Sequence, residues 1–454
     1  MLEPSYRWLA QNVVFPLGDR VRGIPIGQRL AELEASQWWP KHRLDALKSE
    51  RLSALVHHAY EHVPYYRRVM QERGLTARDI RDPSDLAKLP VLTKEIIRRE
   101  GDAMRARDLS LKDLAKASTG GSTGEPMRFL IDRSSRAWSQ AAFRRGLRWA
   151  GLEWGEPIVS LLGGTLGTGK LTPQQRIARL VTRNHVLPAF EIRRDNARTL
   201  ADELRRWRPR AIIGYTSSLV ALARLFEEAN EAVHIPLVFT TAEILMPAHV
   251  EVLERGFCSR VYDYYGCGEV NSIAYQCDRR DGYHVVDEKV ILESIRVDER
   301  VERALITDLS NYAFPFIRYE NGDCFERQPA SCSCGRELSR LARIIGRVHD
   351  FIVTTAGDLL PGEFFPHLFK WVEHVREYQI VQEQLGEVRV LVVVTPEFDE
   401  TFLTTKLREY LGADMRIRIE RVPEIARTAM GKLRVTVSRL EQDVLKGHVR
   451  SRPS

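Results

Sequence analysis

Between residues 157 and 266 four short apolar runs, "PIVSLLGG", "AIIGYTS", "PLVFTTAE" and "RVYDYYG", alternate with stretches of helical periodicity. Short apolar strands separated by helices build a parallel sheet, because a parallel pair needs a long crossover and the crossover helices cover the sheet faces. The pattern predicts a doubly wound, largely parallel α/β domain with ligands at the carboxyl ends of its strands. Upstream, Leu52 to Gly74 reads as helix, and "LPVLTK" at Leu89 to Lys94 carries turn features, so about the first 100 residues form a helical lead-in. From Asp350 the strand-like runs "FIVTTAG", "REYQIVQ", "EVRVLVVVT", "RIRIERV" and "GKLRVTVSRL" mix with helical patterns near Glu363 to Trp371 and Glu400 to Leu411. That predicts a small, mobile α+β domain over residues 350–454, after a large domain over 1–349.

A chain of 454 residues exceeds one ordinary core, in keeping with such a division. No segment approaches the ~18 uninterrupted apolar residues of a membrane span, and the N-terminus lacks the pattern of an export signal, so a cytoplasmic protein is expected. The stretch Tyr6 to Val21 mixes Trp8, Leu9, Val13, Val14, Phe15 and Leu17 with Arg7, Asp19 and Arg20. It can lie on a membrane surface, although a helix packing on the core is the preferred reading. The net charge of +7 comes from scattered arginines such as Arg193-Arg194, Arg205-Arg206 and Arg279-Arg280. This suits anionic ligands such as nucleotides, and no helix or ribbon signature points to nucleic acid. Six cysteines in a chain without an export signal leave metal binding, catalysis or burial, not a disulfide framework.

Five segments, together with the strand end "TTAE" upstream of the second, carry chemistry. In "STGGSTGEP", Ser118, Thr119, Ser122 and Thr123 are interleaved with Gly120, Gly121 and Gly124. Glycines let backbone N–H groups approach phosphate oxygens and hydroxyls add donors, so a triphosphate cradle is one reading and an exposed flexible loop the other. No Lys-Ser/Thr pair follows, so this is not a Walker loop. In "DYYGCGE", Tyr264, Tyr265, Gly266 and Glu269 follow a strand, offering an aromatic face for a purine, a glycine for close approach and a carboxylate for Mg²⁺. "TTAE" ends another strand, with Ala242 and Glu243 placed to meet an adenosine. In "ITDLSNYAFPFIRYENGD", Asp323 follows a turn-forming Asn-Gly pair, and a carboxylate there can accept both hydroxyls of a ribose. In "GRVHDFI", Arg347 can reach phosphate or ribose and Asp350 sits at the domain boundary, while Lys432 follows a glycine in "TAMGKLR".

Together and in this order the five elements resemble the adenylate-forming superfamily of acyl-CoA synthetases, over nearly the whole chain. "VPYYRRVM", "LPVLTK", "STGGSTGEP" without a following lysine, and "CSCGRELSRLARIIGRVHDFI" look like its phenylacetate-CoA ligase branch, which includes proteins encoded with capsule genes. The resemblance implies an ATP-dependent ligase that activates a small carboxylic acid as acyl-AMP and passes it to a thiol, coenzyme A by default. It implies that Ser118 to Gly124 form the phosphate loop, Tyr265 stacks on adenine, Glu269 binds Mg²⁺ and Asp323 holds the ribose. Arg347 would contact ribose or phosphate, Asp350 would be the hinge, and Lys432 would stabilise the adenylation transition state. The sequence departs from the superfamily at Cys267-Gly268, where a hydroxyl residue is common, and at Asp358-Leu359-Leu360 beside the expected thiol tunnel. An amine, hydroxyl or carrier-protein acceptor therefore stays open, as does an inactive scaffold of the same fold and a homodimer.

Cys332 and Cys334 in "CSCG", with Cys277 and His284 in "QCDRRDGYH", form a candidate structural zinc set, and some members of the branch are similar in carrying zinc here. Cys324 is a competing fourth ligand. Trp138, Phe143, Tyr215 and Phe239 are candidates to line the acid pocket, or ordinary core.

Overall fold

The computed structural model describes residues 3–119, 127–162, 176, 179–188, 196–296, 301–328, 330–347, 351–355, 359–361, 364–369, 372–427 and 433–440. The lead-in is helical, with its longest helix at Lys41–His62. Leu52, Leu55, Val56 and Ala59 recur on one face of that helix and are fully buried, which is why it packs. The helix Lys94–Glu100 starts at Thr93, whose hydroxyl accepts from the Ile96 amide at 3.3 Å.

Strands β1 (Ala115–Thr119) and β2 (Met127–Ile131) form a separate antiparallel pair. An eleven-stranded sheet follows, built from β3 (Ile158–Leu162), β4 (Asn184–Pro188), β5 (Ala211–Tyr215), β6 (Leu237–Thr241), β7 (Arg260–Tyr265), β8 (Ala274–Gln276), β9 (Tyr283–Val285), β10 (Val290–Arg296), β11 (Glu302–Asp308), β12 (Tyr319–Arg327) and β13 (Arg340–Arg347). Its order is β10-β11-β12-β13-β9-β8-β7-β6-β5-β3-β4.

From β4 to β7 the strands are parallel, as the apolar runs predict. Successive residues serve opposite faces: Ile212, Val238 and Val261 pack under the helices Ala197–Trp207, Thr216–Glu228 and Pro247–Phe257, whereas Ile213, Phe239 and Tyr262 join Leu147 of the helix Arg133–Trp149 on the other side. Burial on both faces is why these strands read as unbroken apolar runs. Beyond β7 the sheet continues antiparallel through six more strands. β8 and β9 are three residues each, too short for a periodic signal.

The lead-in is tied to this sheet at two consecutive buried carboxylates. Lys48 Nζ stands 3.3 Å from Asp287, and Glu288 accepts from Ser36 at 2.6 Å and, on the same oxygen, from Arg145 at 2.6 Å, while the next residue, Lys289, lies 3.4 Å from Asp308 of β11. At the C-terminal end a β-pair, β14 (Phe351–Val353) and β15 (Leu359–Pro361), precedes a four-stranded sheet of order β18-β17-β16-β19, from β16 (Val375–Gln384), β17 (Glu387–Val394), β18 (Arg416–Arg421) and β19 (Thr436–Ser438). The helix Glu400–Leu411, capped by Asp399, covers it through Leu403, Leu407 and Leu411. This small domain has its own core, as an α+β unit should.

Candidate active site

The expected ligand end of the sheet carries several of the residues singled out in the sequence. Tyr215, Thr241 and Tyr264 stand in register at the carboxyl ends of β5, β6 and β7. Just past β6, Ala242 takes a left-handed φ of 67°, a strained choice for alanine, and turns the chain so that the Glu243 carboxylate accepts from the Ser217 amide at 2.6 Å and its hydroxyl at 3.0 Å. Glu243 thereby caps the helix Thr216–Glu228.

Tyr264 and Tyr265 point to different surroundings. Tyr264 stacks on Tyr275, centroids 5.4 Å apart, with the edge of Phe143 at 5.6 Å. Tyr265 directs its hydroxyl to Asp323 Oδ2 at 2.8 Å and receives a bond from the Asn321 amide at 2.9 Å. Gly266 is required locally, since a Cβ there would sit 2.9 Å from the Ser272 amide nitrogen; the close approach is by the chain's own backbone.

Glu269 is buried, and its Oε1 accepts from the Tyr319 hydroxyl at 2.6 Å with Lys94 Nζ at 3.6 Å. Burial, with the nearby Glu269 and Asp323 carboxylates, pushes the Cys267 thiol far above its ordinary value, so it stays protonated and is a poor nucleophile.

β12 supplies Tyr319, Asn321 and Asp323. The Asn321-Gly322 pair, expected to form a turn, lies instead inside this strand as a bulge: Leu305 pairs with Glu320 and Arg303 with Cys324, so one residue of β11 faces three of β12, and Gly322 has φ 86°. The bulge re-aims Asp323 toward Tyr265. Asp323 also faces Arg347 in the β12–β13 register, while Arg347's side chain lies outside the description.

Lys94, Tyr319 and Asn321 are site residues that sequence reasoning missed. Lys94 is brought there because Leu92 bridges to Tyr319, its amide donating to the Arg318 carbonyl at 3.0 Å and its carbonyl accepting from Glu320 at 2.9 Å. The signal lay in "LPVLTK", read above for its turn.

Ser118 and Thr119 end β1, with Thr119 opposite Met127 of β2. Gly120, Gly121, Ser122, Thr123, Gly124, Asp350 and Lys432 lie outside the described residues. Trp138 and Phe239 are core residues, Trp138 lying beneath Arg29 and Arg51.

Cys277, His284, Cys332 and Cys334 bring four donor atoms within 4.8 Å of one another. Cys277 Sγ is 3.8 Å from Cys332 Sγ, and Cys334 Sγ is 3.3 Å from His284 Nε2. Zn–S bonds of ~2.3 Å in a tetrahedron separate two sulfurs by about 3.8 Å, so the donor set fits zinc. Burial, reinforced by Arg340, Arg336 and Arg145, pushes His284 down to about 3 and keeps its imidazole neutral, the form that ligates. Cys324, the competing candidate, lies on β12 paired with Gly346 and is not among these four.

Comparison with known proteins adds to this geometry. Residues 352–439 match the CapK C-terminal domain. The chain is 26% identical over 416 residues to a phenylacetate-coenzyme A ligase of Thermus thermophilus, covering 88% of this chain and 92% of the relative. It is 22% identical over 410 residues to Protein CapK of Staphylococcus aureus, covering 87% and 89%. It superimposes with a TM-score of 0.72, at 21% identity, on a 2-hydroxyisobutyryl-CoA ligase in the postadenylation state with 2-HIB-AMP, covering 91% of this chain and 94% of that one. Over most of its length the chain is thus similar in sequence to phenylacetate-coenzyme A ligases and shares the fold of an acyl-CoA ligase. The antiparallel strand β12 carries the residues that bond to Tyr265 and Glu269, so the half of the sheet without a strong sequence signal contributes to the site.

Proposed function

We propose that this enzyme activates a carboxylic acid with ATP as an acyl adenylate and transfers the acyl group to the thiol of coenzyme A. The observation that carries this reading is the joining of Tyr265 to Asp323 and of Tyr319 to Glu269 at the carboxyl end of β7, where an adenosine and a phosphate chain can lie side by side. In the first step a carboxylate oxygen of the acid attacks the α-phosphorus of ATP, the bond to pyrophosphate breaks and pyrophosphate leaves. In the second the thiol attacks the acyl carbon, AMP leaves and the thiol proton passes to solvent.

Tyr265 offers its ring to adenine and Asp323, oriented by Tyr265 and Asn321, its carboxylate to the ribose hydroxyls. Glu269 is the group to hold Mg²⁺, which when bound neutralises charge on the phosphates; Lys94 beside it supplies a second cation for the same chain. Ser118 to Gly124 would cradle the phosphates, Arg347 contact ribose or phosphate, Asp350 serve as hinge, and Lys432 stabilise the charge that grows on the phosphoryl oxygens. Zinc on Cys277, His284, Cys332 and Cys334 would be structural, because four protein ligands leave no open position. Likeness to phenylacetate-coenzyme A ligases supports an aryl or other apolar acid.

A second reading, in which the acceptor is an amine, hydroxyl or carrier-protein thiol, has only weak support in the match of residues 352–439 to the CapK C-terminal domain. Acid-dependent ATP–pyrophosphate exchange across a panel of carboxylic acids tests the first step. Product analysis with coenzyme A against amine and carrier acceptors decides the second.

A further inference from the structure

We infer that the N-terminal helical stretch and the arginine-lined cavity beside it form a docking surface for an anionic membrane interface. Trp8, Leu9, Val13, Leu17 and Val21 are exposed by 63%, 43%, 43%, 60% and 78%, and are five of the eleven large apolar side chains exposed among the described residues. Leu9, Val13, Leu17 and Val21 recur every fourth residue along successive helical turns, so they form one stripe. The stripe is not a packing failure, because Ala10, Phe15 and Asp19 on the other side are buried and Gln11 donates to the Trp154 carbonyl at 3.0 Å. A helix of this kind normally keeps polar residues outward.

The charges beside the stripe are basic. Arg7, Arg20 and Arg22 are exposed, whereas Asp19 is buried, accepting from the Gly27 amide at 2.8 Å and pairing with Arg22 at 3.6 Å, which leaves Arg7 and Arg20 as the stripe's uncompensated cations among these groups. Arg7 also lines a cavity of about 570 Å³ with Arg183, Arg205, Arg208, Arg210 and His234, against a single acid, Glu156. Arg205 is already paired with Glu231 and Asp202, and the cavity still carries an excess of cations. Pro157, Arg183, Arg210 and Pro236 of its wall directly precede β3, β4, β5 and β6, so it opens at the amino ends of the parallel strands, opposite the Tyr265 site.

An apolar stripe flanked by arginines suits a lipid headgroup layer, where leucine and valine enter the acyl boundary and guanidinium groups meet phosphates. A nucleic acid gives no burial to the stripe. A second copy packed about a two-fold axis would bring Arg7, Arg20 and Arg22 close to their own counterparts. No described helix is long and apolar enough to cross a membrane, so contact is with the surface.

The test is co-sedimentation of the full chain with phosphatidylcholine vesicles and with phosphatidylcholine–phosphatidylglycerol vesicles. The expected result is binding to the anionic vesicles that weakens with salt and falls roughly tenfold or more in the exposed triple variant V13S/L17S/V21S. The pair R7Q/R20Q should reduce the preference for anionic over neutral vesicles several-fold. Unchanged thermal midpoints and pyrophosphate exchange in these variants show that fold and active site are intact. Equal binding to both vesicle types, or binding that the triple variant does not weaken, overturns the proposal. Self-association in sedimentation, abolished by the triple variant without vesicle binding, overturns it in favour of a second copy.

Discussion

The Tyr319 hydroxyl donates to the Glu269 carboxylate at 2.6 Å, so a residue of the antiparallel strand β12 fixes the acid that the loop after β7 presents. Lys94, 3.6 Å from the same oxygen, completes a charge arrangement that a divalent cation would reorganise. Replacing Glu269 with Gln keeps its size and removes the charge, and adenylation should fall by orders of magnitude or demand far more Mg²⁺. Tyr319→Phe should produce a smaller rise in the Mg²⁺ requirement, since it misorients the carboxylate without neutralising it. Mg²⁺ titrations of the exchange rate check both, and unchanged curves would give Glu269 another task.

Asp263 on β7 is buried between the Thr240 and Tyr283 hydroxyls, 2.6 and 2.7 Å away, and burial pushes its carboxyl up to about 7 despite those bonds. A folded-state value raised from 3.8 means that Asp263's contribution to stability is fully present below about pH 4 and is lost as pH rises through about 7. Asp263→Asn should therefore gain on the natural protein in thermal midpoint between pH 5 and pH 8. Parallel pH profiles would contradict this.

The Arg145–Glu288 pair is fully buried and joins the helix Arg133–Trp149 to the segment after β9, with Ser36 of the lead-in on the same carboxylate. Removing one partner strands the other's charge, and Glu288→Ala should cost about 3–5 kcal/mol in denaturant unfolding. A loss below about 1 kcal/mol would mean water reaches Arg145.

Elemental analysis should find about one zinc per chain, lost in Cys332→Ser and retained in Cys324→Ser, because Cys324 lies apart from the other donors. Zinc absent from folded, active enzyme would remove the metal and leave the ligase reading untouched.

How much of this was legible in sequence follows from locality. β5 and β6 were legible because burial on both faces makes continuous apolar runs, and the helix Glu400–Leu411 spans the residues that its periodicity marks. The Cys277, His284, Cys332 and Cys334 grouping was legible from donor chemistry together with the family resemblance, with Cys324 left as a competitor until the fold brought the four together. The antiparallel half was not, because β8 and β9 are too short for a period and the bulge at Asn321–Asp323 mimics a turn. Lys94 was not, because a single bridge from Leu92 to Tyr319, across more than two hundred residues, puts it beside Glu269.

The central claim is a two-step reaction through an acyl adenylate, and Lys432 gives the most direct test. A lysine that stabilises phosphoryl charge in the first transition state is needed for adenylation and dispensable for transfer. Acid-dependent ATP–pyrophosphate exchange should be abolished in Lys432→Ala, while the same variant, given preformed acyl adenylate and thiol acceptor, should form product at near the normal rate. Exchange that survives in the variant, or the loss of both half-reactions in a folded protein, would contradict the account.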